Sequence, residues 1–156
     1  MGMDVYGIKP KSKTGEYFRR NVWSWHPLWA YCEALHPELV STVEYGHSNS
    51  GDGLNRMQSM KLAKALKEDI RSLVASDYIE SRNRHLADLP DEPCEYCDEN
   101  GNRTFTQPGG QQTVKVCNSC SGKKFVRPFA TNYFLDLQDI KDFAQFLENS
   151  GGFKIW

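Results

Sequence analysis

The chain has 156 residues, a formal net charge of −1 and 25% charged residues, which suits one soluble globular domain with a small insert. Basic and acidic residues are balanced along the chain, whereas proteins that bind duplexes usually concentrate basic residues on one face. No apolar run reaches the roughly 18 residues of a membrane span, and the first residues lack an apolar stretch of signal-peptide length. We therefore expect a cytoplasmic protein, in which cysteines stay reduced.

The N-terminal segment predicts a short strand followed by a helix. Residues 3–9 (MDVYGIK) have the composition of a strand, and Pro10 ends it. Pro27 suits the first turn of a helix, and Pro37 would close that helix. A loop rich in turn-forming residues follows, with the sequence EYGHSNSGDG.

The clearest helical pattern covers residues 55–76. Its apolar residues recur at helical spacing: Leu62, Leu66, Ile70 and Leu73. Asn55 and Gln58 have the spacing of a capping box, so the helix is expected to begin there. A shorter helix is expected over residues 77–89, because Pro90 stops it.

The C-terminal segment predicts a second amphipathic helix and a last strand. The inner face of this helix is expected to contain Ile140, Phe143, Ala144 and Leu147. Asp136 can cap its first turn, and Gly151 ends it. We expect FKIW to form this last strand and to lie beside MDVYGIK.

Together these elements predict an α+β fold: a small helical domain with a short terminal sheet and an inserted β-hairpin. Residues 1–90 form the mainly helical N-terminal part. Residues 91–127 form a cysteine module, referred to below as the ribbon. Residues 128–156 supply a helix and a strand that pack back on the N-terminal part.

Four of the five cysteines form two C-x-x-C pairs inside the ribbon: Cys94, Cys97, Cys117 and Cys120. The pattern C-x2-C-x19-C-x2-C matches zinc sites, and the polar spacer with its QPGGQQ turn reads as a hairpin. We predict one Zn²⁺ per chain, so that the inserted β-hairpin is zinc-ribbon-like. A redox dithiol and an iron site are the alternatives.

The donor set predicts a structural metal. A catalytic zinc usually has three protein ligands and keeps one position open for water, whereas four thiolates close the shell. The zinc deaminase pattern needs an upstream H-x-E, and none of the four histidines provides it.

Residues 94–127 of the ribbon are the most basic stretch of the chain, with five basic and three acidic residues, and the basic ones are candidates for nucleic-acid contacts. They are Arg103, Lys115, Lys123, Lys124 and Arg127. These residues can contact phosphates or can simply form a solvated face. The formal charge of +2 on residues 94–127 is offset by the −2 of a zinc ion bound to four thiolates.

Two further places can carry chemistry. His47, Asn49 and Asp52 lie in the glycine-bracketed loop GHSNSGDG, which either binds a ligand at a helix N-terminus or is a polar turn that caps the long helix. Cys32 and His36 have helical spacing, but no third member of a catalytic triad is recognisable, and Cys32 lies on an apolar face.

Aromatic residues alternate with arginines in YFRRNVWSWHPLW. The candidate interface residues are Arg19, Arg20, Trp23, Trp25 and Trp29. Tryptophan and arginine are enriched at protein-interface hot spots and at base-stacking surfaces. The alternative is a core tryptophan cluster with arginines stacked on its rim.

Several short blocks together resemble a family of small uncharacterised proteins of bacteriophages and bacteria. These are MDVYG, the tryptophan-rich segment, GDGL, the two C-x-x-C pairs and SGGF, which span most of the chain. The resemblance implies a protein of the bacterial host cytoplasm and supplies no activity.

These observations favour a non-enzymatic zinc protein that serves as a protein-interaction module, with a host or phage protein as its partner. Such a protein would fit a phage-encoded inhibitor of a host or defence protein. A zinc-ribbon nucleic-acid-binding protein is one alternative. A nucleotide-binding protein or enzyme that uses the GHSNSGDG loop is another.

Overall fold

The computed structural model describes residues 2–156, and the chain divides into two compact units. The first unit comprises the chain up to Arg84 together with Asn132–Trp156. The second unit is His85–Thr131 and contains the ribbon. The fold is α+β, as the sequence predicts.

The helices and strands are named in chain order. The helices are α1 Val22–Leu35, α2 Pro37–Val40, α3 Arg56–Arg71, α4 Val74–Asp88 and α5 Leu137–Ser150. The strands are β1 Gly2–Gly7, β2 Tyr17–Asn21, β3 Glu92–Pro93, β4 Asn102–Thr106, β5 Gln112–Val116, β6 Phe125–Val126 and β7 Phe153–Ile155. Within residues 2–156, no helix has both the length and the apolar character needed to cross a bilayer.

Three antiparallel strands form the terminal sheet, in the order β2-β1-β7. The pairing of β1 with β7 confirms that FKIW lies beside MDVYGIK. Side chains alternate across the sheet. One face buries Val5, Phe18 and Ile155 against the helices, and the other face is open to solvent.

Helix α1 begins earlier than the position of Pro27 predicts. The Asn21 side chain caps it by accepting a hydrogen bond from the Ser24 N–H, so Pro27 lies in the second turn. Proline has no N–H to donate to the carbonyl four residues earlier. That carbonyl, on Trp23, accepts a hydrogen bond of 3.0 Å from the Phe134 N–H instead.

The helix predicted over residues 55–76 is divided in two. Its start is confirmed, because Asn55 and Gln58 form the capping box. It ends at Arg71, and Leu73 adopts a left-handed conformation with φ 68°. Leu73 is therefore turned outwards and is 62% exposed, although the periodicity placed it on the apolar face. Helix α4 then begins at Val74 and extends the predicted second helix at its start.

Helix α5 agrees with its prediction in cap, inner face and end. Asp136 forms a capping box with Asp139, and Gly151 ends the helix with φ 65°. The predicted inner residues are all buried: Ile140, Phe143, Ala144 and Leu147. Helices α3 and α5 pack against each other, and their apolar faces join those of α1 and the terminal sheet in the core of the first unit.

The second unit contains two small pairs of strands. β4 and β5 form the predicted hairpin, with Asn102 opposite Val116 and Thr106 opposite Gln112. β3 pairs with β6 over two residues. The buried cluster of this unit consists of Cys94, Cys117 and Cys120, with Cys97 and Val126 partly buried against it.

Candidate functional site

The four ribbon cysteines converge on one point. Their sulfur atoms all lie within 4.8 Å of one another. The Sγ atoms of Cys94 and Cys117 are 3.8 Å apart, and those of Cys97 and Cys120 are 3.7 Å apart. These distances are far longer than the roughly 2.05 Å of a disulfide bond, so all four thiols are free.

The spacing of the sulfurs fits a tetrahedral ion. With metal–sulfur bonds of about 2.3 Å, the edges of a regular tetrahedron are about 3.8 Å long. Both measured distances lie close to this value. The donor set is four thiolates without any oxygen or nitrogen ligand, which leaves no position for a reactive water. The residues present therefore fit a structural metal ion.

The four thiols differ in how readily they lose a proton. The backbone N–H of Cys120 is the main cause that lowers the pKa of the Cys117 thiol to about 7, with help from Ser119 and against desolvation. Desolvation, followed by the adjacent thiols of Cys120 and Cys94, raises the pKa of the Cys97 thiol to about 12. Four thiolates at these distances repel one another, and a bound divalent cation removes that repulsion.

The hairpin formed by β4 and β5 has one face without charge. Because opposite residues of an antiparallel pair share a face, the register puts six residues there: Asn102, Thr104, Thr106, Gln112, Val114 and Val116. Val114 and Val116 are 65% and 63% exposed. We call this surface the valine face.

The basic candidates of the ribbon have different environments. Arg127 donates hydrogen bonds to the carbonyls of Leu86 and Leu89 and pairs with Asp91 at 3.0 Å, so it ties down the end of α4. Nucleic-acid contact by Arg127 is thus not supported, because its guanidinium is already used. Arg103 lies over the rings of Tyr96 and Phe105.

The three remaining basic candidates are exposed: Lys115, Lys123 and Lys124. Lys115 and Arg103 lie opposite each other, on the face of the hairpin away from the valine face. Lys124 also uses its backbone N–H, which donates to the Cys120 sulfur at 3.3 Å. The sequence prediction of nucleic-acid contacts stays a prediction for these side chains.

The interface prediction for the tryptophan-rich segment is wrong for two of its residues. Trp25 and Trp29 are fully buried and stack on each other with ring centroids 5.8 Å apart. Residues four apart share a helix face, so both indoles point into the core. The Trp25 Nε1–H donates to the Gly46 carbonyl, and Gly46 lies directly against the Trp29 indole.

The other residues of that segment are closer to the surface. Arg20 is held by Asp139 and Asp142, both at 2.6 Å, and lies over the Phe18 ring, so it fastens β2 to α5. The guanidinium of Arg20 is therefore not available as an interface anchor.

Trp23 is half-buried beside Tyr133, with ring centroids 5.0 Å apart. Arg19 is 60% exposed and forms an ion pair with Asp4 at 3.5 Å. Of the five interface candidates, Arg19 alone is exposed.

The GHSNSGDG loop uses its polar groups internally. Asp52 accepts hydrogen bonds from the N–H groups of Glu44, Tyr45 and Gly53. Desolvation raises the pKa of Asp52, but these hydrogen bonds outweigh it, so that the pKa lies below its usual value. These contacts favour the alternative of a polar turn over a ligand site.

The other two loop candidates also have protein partners. The His47 ring lies between His26 and Glu33, at 2.9 and 3.1 Å. Asn49 donates to the Gly2 carbonyl at 3.2 Å.

Cys32 and His36 do not form a catalytic pair. Cys32 is completely buried, and desolvation raises the pKa of its thiol far above neutrality, so it is not a nucleophile. The His36 ring instead contacts Asp69 at 2.6 Å, and the Tyr31 hydroxyl donates to the same carboxylate at 2.7 Å. The sequence analysis missed this buried network, because its members are separated along the chain and Asp69 lies in an otherwise lysine-rich helix.

Comparisons with family models, curated proteins and solved structures gave no significant match for this chain. The family resemblance of its short sequence blocks therefore stays a prediction. The metal centre stands on the geometry of its four sulfurs.

Proposed function

We propose that this chain is a non-enzymatic zinc protein whose ribbon binds another protein through the valine face. The observation that carries the proposal is an uncharged hairpin surface that exposes two valines in the same unit as the four-cysteine cluster. Zinc is the metal favoured by this ligand spacing and by its tetrahedral thiolate set.

The valine face suits a protein partner better than a nucleic acid. None of its six residues is charged, so it offers nothing to neutralise phosphates, which supply most of the affinity for nucleic acids. β-Branched side chains on a hairpin present a flat apolar surface, and such surfaces are used in protein recognition. The hairpin also leaves its outer strand edges available for pairing with a partner strand.

Three observations support a non-enzymatic function over the enzymatic alternatives. The metal centre has no open position, the Cys32 thiol is buried and protonated, and Asp52 is used by backbone amides. The proposal that the partner is a host or phage protein rests on the resemblance of the sequence blocks to the phage family. A chain of this kind would act in the bacterial cytoplasm.

The size of the effect follows from the exposed area. Burying a whole valine side chain is worth about 1.5–3 kcal/mol. Val114 and Val116 are each about two thirds exposed, so that covering both would contribute roughly 2–4 kcal/mol to binding. This corresponds to about 30- to 1,000-fold in affinity.

The test is affinity enrichment of bound proteins from the bacterial cells in which the protein is made or acts. The captured proteins are quantified by mass spectrometry. The wild type is compared with Val114→Asp/Val116→Asp and with Lys115→Asp/Lys123→Asp, all at equal zinc content. We expect a discrete protein partner that binds the wild type and the lysine variant, and that is lost from the valine variant. Equal retention of every captured protein by the valine variant would contradict the proposal.

A further inference from the structure

The open face of the terminal sheet carries an arrangement that neither the metal centre nor the valine face uses. The register places Tyr17, Tyr6 and Lys154 in one row across the three strands. Arg19 and Asp4 lie opposite each other in the next row, and Trp156 exchanges backbone hydrogen bonds with Asp4 to complete it. These six residues are the open face.

Three aromatic rings of this face are exposed to solvent. Tyr6 is 47%, Tyr17 44% and Trp156 57% exposed, and the two tyrosine ring centroids are 5.1 Å apart. No aliphatic side chain is present among the six residues. A sheet of this size spans about 10 Å by 7 Å, which is room for two or three stacked bases.

Three lysines follow in the chain where the strands that carry the two tyrosines are connected. The connection from β1 to β2 leaves the sheet at the row of Tyr6 and Tyr17, and it carries the exposed residues Lys9, Lys11, Lys13 and Glu16. Its backbone is held by hydrogen bonds from the Lys9 and Lys11 N–H groups to the carbonyls of Ser150 and Asn149 at the end of α5. None of these lysines forms an ion pair with any residue between 2 and 156. The sheet itself adds Arg19 and Lys154.

The one carboxylate of the face is already compensated. Asp4 accepts a hydrogen bond from the Tyr17 hydroxyl and pairs with Arg19 at 3.5 Å. The same hydrogen bond is the first cause that raises the pKa of Tyr17, so its ring stays a neutral phenol. The face therefore combines neutral aromatic rings with a margin in which Lys9, Lys11 and Lys13 outnumber Glu16.

We infer that the open face binds single-stranded nucleic acid, with bases stacked on Tyr6, Tyr17 and Trp156 and phosphates held by the lysines of the β1–β2 connection. Stacking on aromatic side chains beside a basic groove is the general mode of sequence-tolerant single-strand binding. The aromatic rings alone would suit a protein partner as well, but the lysines beside them favour a nucleic acid, because lysine is depleted from protein interfaces whereas phosphate contacts favour it.

The affinity should be modest and strongly dependent on salt. If about three cations contact phosphates, the slope of log affinity against log salt is about −2 for a single strand. Binding should then weaken roughly 20-fold between about 50 and 200 mM salt. The net charge of −1 of the whole chain keeps the interaction local to this face.

The first arm of the test is fluorescence anisotropy with a labelled oligothymidine of about twelve nucleotides. We expect the wild type to bind it, and to bind the same oligonucleotide paired into a duplex less tightly, because paired bases cannot reach the rings. Tyr6→Ala and Trp156→Ala should each weaken binding about 5- to 100-fold, and Tyr6→Phe should retain it. Phe134→Ala is the matched control, because Phe134 is 48% exposed and lies outside the sheet.

The second arm measures the salt dependence of the charge variants. Lys9→Gln/Lys11→Gln should lower the magnitude of the salt slope by roughly 1.4, whereas the ribbon variant Lys115→Gln/Lys123→Gln should leave it unchanged. Circular dichroism and thermal unfolding are used to check that each variant is folded.

Three outcomes would overturn the inference. The first is no binding of the oligonucleotide by the folded wild type at about 50 mM salt. The second is binding that is lost in the ribbon variant and retained in Tyr6→Ala and Trp156→Ala. The third is a protein partner whose capture depends on Tyr6 while the oligonucleotide is not bound.

Discussion

Removal of the metal should unfold the ribbon and leave the first unit folded. The buried cluster of the second unit is formed by cysteines with the partly buried Val126, so it has almost no apolar core of its own. The first unit, in contrast, has a large aromatic and aliphatic core. Loss of the metal should therefore unfold the ribbon in the second unit, while the core of the first unit stays intact.

The magnitude can be worked from the hairpin alone. β4 and β5 contain five residues each, and ordering a residue costs about 1–2 kcal/mol, so the strands cost roughly 10–20 kcal/mol. Burial of one valine returns at most about 3 kcal/mol. A structural zinc contributes about 10–16 kcal/mol in small zinc modules, which is the scale needed. Without the ion, we expect the ribbon to be unfolded.

The assay is a two-dimensional amide NMR spectrum before and after chelation. Signals of residues 91–127 should collapse to random-coil positions, while those of α3 and α5 remain dispersed. Tryptophan fluorescence is the internal control, because Trp23, Trp25, Trp29 and Trp156 all lie in the first unit. An unchanged ribbon spectrum after complete removal of metal would refute the reasoning, and so would collapse of the whole chain.

Three further predictions concern the first unit. Asp69→Ala leaves Tyr31 and His36 without their buried acceptor and should cost about 2–4 kcal/mol, lowering the Tm in calorimetry by roughly 5–15 °C; an unchanged Tm would contradict the network. Gly46→Ala places a Cβ 1.9 Å from the Trp29 indole nitrogen and should destabilise by about 1–3 kcal/mol in urea unfolding, and a neutral effect would show that the loop moves freely. The pKa of Asp52 is lowered in the folded state, so its contribution is present above its usual pKa and is lost as the pH falls below about 4; Asp52→Asn should lose that part of the acid dependence, and identical acid unfolding curves would argue against it.

Patterns that depend on local chemistry were predictable from the sequence. The cluster of four cysteines was predictable because C-x-x-C spacing alone brings two sulfurs to one turn and the hairpin brings the two pairs together. The capping boxes at Asn55 and Asp136 were also predictable, because capping involves residues only three apart. The pairing of β1 with β7 followed from apolar strands at the two ends of the chain.

Features that depend on tertiary context were not predictable. The periodicity of α3 continues through Leu73, and nothing local marks the left-handed residue that ends the helix there. The burial of Trp25 and Trp29 depends on Gly46 closing over them. The open face depends on the register of three strands from both ends of the chain.

The most direct test of the account is the metal content of the purified chain, measured by elemental analysis together with native mass spectrometry. We expect one zinc per chain, and its release when the thiols are modified. Cys97→Ser/Cys117→Ser should abolish binding, whereas Cys32→Ala should retain it, because the Cys32 thiol lies in the core of the first unit. Absence of stoichiometric metal, or equal metal in the double ribbon variant, would contradict the account.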